Sequence, residues 1–304
     1  MLIDTVKQNP RSWFRKEFIE GLDEVKPVNV DLQFVADYHF TLGSPVVSSA
    51  SDFPNIAPPW DNAWYEFKIP GTDKSFGCLQ SGGRTYAEGY EDFYNDIGKI
   101  FGNVELGEIV PSYMTYSSLF CFSRSEQTFY PDIYMLQVLD ADGRAIHNGK
   151  GTAVLRLGEG WDKLNQVGFG LDLPKVMYSL YLVVMFGISL IHCKNTKLVK
   201  NKIDPKEQQR RIRRNLSPIT RYYTLDITPM NKIVTSAMRE SGGNFANALH
   251  ICRGHFKDYS KGGGLFGRNK GLYWWNQQAR GTKAAGEVVK DYSVSVGNEQ
   301  GSKA

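Results

Sequence analysis

Apolar positions recur along this chain at two spacings, and the change from one to the other organises it. Over residues 10–22, Trp13, Phe14, Phe18, Ile19 and Leu22 repeat at helical spacing behind Ser12, which suits an N-cap. Pro27 ends that pattern. From Val28 to about Leu173 the pattern predicts a strand-rich stretch. Residues 63–69 alternate and stop at the turn pair Pro70-Gly71. Residues 134–139 run into Asp140-Ala141-Asp142-Gly143, where Asp142-Gly143 is a strong hairpin signal. Residues 153–157 read as the returning strand. The acidic, aromatic run 86–101 predicts a helix packed on the sheet.

Pro174 opens a long apolar run that holds residues 176–191. That run is 16 residues long and carries two tyrosines and two serines. A spanning helix needs about 20 apolar residues, so a buried core helix is expected and no membrane. The helix is expected to continue past His192 and Cys193 into Lys194-Asn195-Thr196-Lys197, whose cations suit its negative end. Asp204 and Pro205 then suit the N-cap and first position of a helix running to Arg214. Residues 221–227 alternate as a strand, and residues 229–247 read as a loop.

The last β-type runs, 249–257 and 271–275, are joined by a Gly-rich connection and predict a hairpin. In one regular strand Ile251, Arg253, His255 and Lys257 would share a face, with His250, Cys252 and Phe256 on the other. The face with Arg253 is cationic and makes His255 with Arg253 the functional candidate. The opposite face has the character of core and makes His250 structural. A bulge at Gly254 would break this alternation. After Thr282 the residues turn small and polar, and 284–304 read as a mobile tail.

These elements predict an α+β protein: a mixed or antiparallel sheet, a long buried central helix and a C-terminal β-hairpin. The expected parts are an N-terminal helix (1–27), an acidic β-rich part (28–173), a basic part (174–283) and the tail. The division near 165–174 can be topological only, with both parts sharing one sheet.

Charge sharpens this division. Residues 194–283 hold 19 Lys and Arg against 5 Asp and Glu, a surplus of 14. The chain's net charge is +4, so the remainder carries about −10. A basic half joined to an acidic half is the pattern of a chain that meets a polyanion. Arg210, Arg211, Arg213 and Arg214 form a cluster of the kind that meets phosphate. Cys78, Cys121, Cys193 and Cys252 form no C-x-x-C pair, so neither a zinc site nor a disulfide framework is expected. Asp140-Ala141-Asp142-Gly143 has only the beginning of a calcium loop and reads as a turn. Residues 262–267 lack the G-K-[ST] ending of a phosphate loop. No metal and no cofactor are expected.

Four segments carry a resemblance: Ala57-Pro58-Pro59-Trp60 with Trp64-Tyr65-Glu66; Lys194-Asn195-Thr196-Lys197; the arginine cluster before a strand; and His250-x-x-Arg253-Gly254-His255 followed by Trp274 and Arg280-Gly281. In this order they are similar to a group of uncharacterised proteins of bacteriophages, prophages and plasmids. The likeness spans most of residues 57–281 and is best in the last hundred. A longer Gly-rich loop and a double Trp stand here where the pattern is shorter. It implies a mobile-element context and carries no activity.

Three functions follow as expectations. The first is nucleic-acid binding, RNA preferred. Arg210, Arg211, Arg213, Arg214, Arg253, Lys257, Arg268, Lys270 and Arg280 would hold the backbone, and Tyr273, Trp274 or Trp275 would stack on unpaired bases. Adjacent strand residues face opposite sides, so at least one of the two tryptophans belongs to the core. The second is metal-independent RNA cleavage, with His255 as base or acid and Arg253 and Arg280 as the electrostatic clamp. That face lacks a second proton carrier. The third is a non-enzymatic protein that binds or inhibits a host protein, or pairs with its own copy. A Cys252 nucleophile beside His250 is weaker, because buried thiols are inert. Residues 1–9 lack a secretory signal, so a cytoplasmic location is expected, the host's if a phage carries the gene.

Overall fold

The computed structural model describes residues 2–8, 27–41, 50–85, 113–125, 128–146, 153–157, 173–216, 220–228, 248–252, 254–276, 278–280 and 282–287. The helix expected at 10–22, the one at 86–101 and the loop at 229–247 lie outside them. The fold is α+β. Contacts divide the chain into two units, residues 1–228 with 256–274, and residues 229–255 with 275–304.

The first unit is built on an eight-stranded mixed sheet. Five strands follow one another as an antiparallel meander: β2 (Asn62–Lys68), β3 (Lys74–Thr85), β4 (Tyr113–Ser123), β5 (Thr128–Leu139) and β6 (Ala153–Leu157). On the other side of β2 lies β1 (Val28–Asp31), parallel to it. β8 (Tyr223–Ile227) is parallel to β1, and β7 (Thr196–Lys200) closes the order as an antiparallel edge strand. Residues on either side of position 173 therefore share one sheet, β7 and β8 with β1 to β6.

Alternation along β2 shows how the sheet is covered. Ala63, Tyr65 and Phe67 are buried in one cluster with α3 (Leu173–Ile191). Trp64 is buried in the other, with Leu2 and Ile3 of α1 (Leu2–Gln8) and with Phe120 and Phe122. Glu66, on the same side as Trp64, accepts from the backbone N–H of Leu2 and Ile3 and from Trp64 Nε1. α3 is buried at every position from Leu180 to Leu190, as expected of a core helix. Its Tyr181 hydroxyl lies 3.3 Å from Gln80 Nε2 on β3 and 3.1 Å from Ser117 Oγ on β4. On α3, Phe186 meets Phe53, Phe256, Trp274 and Tyr38 of α2 (Gln33–Thr41), a helix the strand-like residues 33–41 do not announce. Among the described residues no helix is long and apolar enough to cross a membrane.

Two expectations meet the structure differently here. α3 stops at Ile191, and Lys194-Asn195-Thr196-Lys197 forms a turn leading into β7, so its cations lie on a sheet edge and not on a helix end. Asp140, by contrast, does cap the expected turn: its Oδ1 accepts from the backbone N–H of Asp142 and Arg144.

The predicted hairpin is interrupted. β10 (His255–Asp258) pairs with β11 (Leu272–Trp275) as a two-stranded sheet. β9 (Ala248–Cys252) belongs to a different, three-stranded sheet, between β12 (Gln278–Arg280) and β13 (Thr282–Glu287). The face shared by Ile251, Arg253, His255 and Lys257 therefore does not exist as one regular strand. Residues 284–287, expected in a tail, belong to β13, which runs parallel to β9.

Candidate nucleic-acid interface

α4 (Pro205–Arg213) is the helix the sequence points to, and its ends form as expected. Asp204 is the N-cap, accepting from Lys206 N at 2.9 Å, with Pro205 in the first turn. At the other end Asn215 takes a φ of +52°, and Leu216 N donates to Arg211 O at 3.0 Å, a closing motif of helix C-termini. No residue of α4 is buried. Burial of an apolar face ordinarily supplies most of a short helix's stability. Here capping and dipole-matched charge stand in for it: Glu207 in the first turn, Arg210, Arg211 and Arg213 in the last.

Arg210 Nη2 lies 2.7 Å from Glu207 Oε2 across one turn. Arg213 and Arg214 are exposed and form no ion pair among the described residues. The same holds for Lys197 and Lys200 on β7 and for Lys202 beyond it. Nine Lys and Arg against Asp204 and Glu207 line residues 194–214. Residues 194–216 also carry the exposed apolar side chains Val199, Ile212 and Leu216.

The other cationic element is the connection between β10 and β11. Lys257, Lys261, Arg268 and Lys270 are exposed on or beside it. Lys257 Nζ sits 5.2 Å from the centre of the Tyr259 ring. Asp258 is the carboxylate among them. Hydrogen bonds from Ser260, helped by the charges of Arg144 and Lys261, hold it below the usual carboxylate range. The connection is tied to the start of β7, where Lys194 N donates to Leu272 O at 2.8 Å.

The aromatic residues expected to stack on bases lie elsewhere. Trp274 is 2% exposed and packs in the core against Phe186, Phe256 and Tyr38, so it is withdrawn as a stacking residue. Tyr273 is buried too, and Trp275 is 8% exposed. Trp275 stacks on His255 with ring centres 6.2 Å apart and planes 7° from parallel. His255 itself is exposed. Arg253 lies outside the described residues. Arg280 is placed by its backbone, opposite His250 across the β9–β12 pair, with Cys252 opposite Gln278. The grouping of His255, Arg253 and Arg280 therefore lies partly outside the described residues.

Sequence reasoning missed two polar residues at the end of α3. His192, half-buried, lies with Nε2 2.8 Å from Ala57 O; since a carbonyl only accepts, Nε2 carries the proton. Burial lowers the pKa of its imidazole against the opposing effect of that hydrogen bond. Asn195, buried, bonds through its amide to Thr228 and Trp274. Both lie in or beside segments that carried the resemblance, and both have a structural role. Among the described residues no His, Cys, Asp and Glu group is placed to hold a metal ion. No family model matches the sequence, and neither a curated protein nor a solved structure is found to be similar to it.

Proposed function

We propose that this protein binds nucleic acid through the cationic surface of β7 and α4. The observation that carries the reading is α4 itself: a helix capped at both ends, burying none of its side chains, and holding four arginines within residues 210–214. Core packing does not require these side chains. Guanidinium groups pair with phosphate through two parallel hydrogen bonds, and several in a row follow a phosphate backbone. Lys197 and Lys200, exposed on the edge strand β7 that precedes α4 in the chain, add to the cationic charge of this segment. With Trp274 in the core, that tryptophan gives no reason to prefer RNA over DNA.

The test is fluorescence anisotropy with labelled RNA and DNA strands of one sequence. The wild type is expected to bind both, and Arg213→Ala/Arg214→Ala to weaken binding at least tenfold with only a small change in thermal unfolding. Equal binding by the two proteins would remove α4 from the interface.

An alternative reading is an acidic protein partner. Val199, Ile212 and Leu216 favour it, because phosphate recognition has no use for exposed aliphatic side chains. A protein that stays bound after nuclease treatment supports that reading. Co-purifying nucleic acid, seen as a high 260/280 absorbance ratio, supports nucleic-acid binding.

A further inference from the structure

The Gly-rich connection between β10 and β11 contains a residue that fold requirements do not explain. Leu265 and Asn269 bridge, with Leu265 N donating to Asn269 O at 2.9 Å and Asn269 N to Leu265 O at 3.1 Å. Arg268 N closes the turn onto Leu265 O at 3.3 Å. The two central residues are Phe266 and Gly267, with φ of +56° and +70°. A tight turn with both central residues at positive φ ordinarily takes Asn-Gly, Asp-Gly or Gly-Gly. A bulky aromatic residue there is a genuine outlier, because its Cβ crowds the following carbonyl. The cost is about 1–2 kcal/mol.

Partial burial of the ring returns part of that cost. Phe266 is 43% exposed, and its ring makes no aromatic contact among the described residues. A Cβ at Gly267 would meet nothing within 4 Å, so the tip stands in open space. A strained residue that still leaves much of its ring in solvent fits a position held for binding. The same connection carries Lys261, Arg268 and Lys270, all exposed, and Lys257 stands on β10 just before it. A Cβ built on Gly271 would lie 3.1 Å from Lys194 Cε, so the connection adjoins the start of the cationic β7 segment.

The geometry points to Phe266 as a stacking platform for an unpaired base of single-stranded nucleic acid, with Lys261, Arg268 and Lys270 on the flanking phosphates. An exposed ring face suits any base, and cations on either side suit the backbone that carries it. Duplex bases are already stacked, so the site selects single strands. This rests on the nucleic-acid reading above and adds the substrate class to it.

The experiment compares wild type, Phe266→Ala and Phe266→Asn with three ligands. They are a single strand containing 2-aminopurine, an abasic strand of the same length, and vesicles of phosphatidylserine and phosphatidylcholine. Asparagine suits a positive φ, so Phe266→Asn is expected to unfold at or above the wild-type temperature, which separates stacking from folding. The wild type should quench 2-aminopurine and prefer the base-bearing strand over the abasic one by about tenfold. Both variants should lose the quenching and the preference while binding the abasic strand as before. Wild-type binding with unchanged preference in the variants overturns the stacking site and leaves the cationic interface standing. Binding to neither strand overturns both. Vesicle binding that disappears in the variants, with strand binding intact, assigns Phe266 to a membrane surface instead.

Discussion

Asn195 and Trp274 pair as two strand residues do, except that one partner is a side chain. Asn195 Nδ2 donates to Trp274 O at 2.8 Å, and Trp274 N donates to Asn195 Oδ1 at 3.0 Å. The same Nδ2 reaches Thr228 O at 3.0 Å, while Thr228 N donates to Asn195 O at 2.8 Å. One amide thus ties the end of α3 to the end of β8 and to β11. Buried backbone groups need partners, and here a side-chain amide provides them.

Asn195→Ala leaves the Trp274 N–H and two carbonyls without their partner. We expect it to cost about 3 kcal/mol of stability. Asn195→Asp keeps an acceptor for Trp274 N but turns a carboxylate toward two carbonyl oxygens, and should be at least as damaging. The midpoint of urea unfolding measures both.

Gly187 lies where α3 meets Leu32, a side chain with no exposed surface. A Cβ at Gly187 would sit 2.6 Å from Leu32 Cδ2 and 2.8 Å from Cδ1. Alanine is favoured over glycine inside a helix by about 1 kcal/mol, but overpacking costs about 1–3 kcal/mol. Gly187→Ala is therefore expected to destabilise the protein. In a Leu32→Ala background it should not, and a double-mutant cycle of unfolding free energies shows the coupling.

His192 and His39 share a sign. Burial lowers both imidazole pKa values below the ordinary 6.5, so the folded state favours the neutral rings. Between the folded and unfolded pKa values the unfolded chain binds more protons. Stability contributed by the neutral rings is therefore present above about 6.5 and lost as pH falls toward the folded values. His192→Gln can still offer an N–H to Ala57 O and does not titrate. Its stability should fall less than the wild type's between pH 7 and pH 5, read from thermal unfolding across that range.

What the sequence revealed and concealed follows from the range of the forces involved. β2 was legible because its alternation and the Pro70-Gly71 turn are local, and α4 because Asp204 and Pro205 announce its start. The end of α3 was not: His192, Cys193, Lys194 and Asn195 all tolerate a helix, and the break comes with distant partners at Leu272, Trp274 and Thr228. Alternation allowed one of Trp274 and Trp275 to face outward, yet both are largely covered, because Phe186 and Phe256 close over Trp274. The step from β9 to β10 falls at Arg253 and Gly254, where the glycine was already suspect. Of the candidate site, the arginines of α4 were fully legible. Phe266 was not, since its meaning lies in a φ angle that pattern does not report.

The most direct test of the central claim is the salt dependence of strand binding. Single-strand contacts change log K by about −0.7 per phosphate neutralised, for each unit of log salt. Four arginines with flanking lysines should give a slope of about −3 or steeper, and Arg213→Ala/Arg214→Ala should flatten it by about 1.4. Binding that is indifferent to salt, or a slope unchanged in the double variant, would contradict the assignment of α4 and β7 as a nucleic-acid interface.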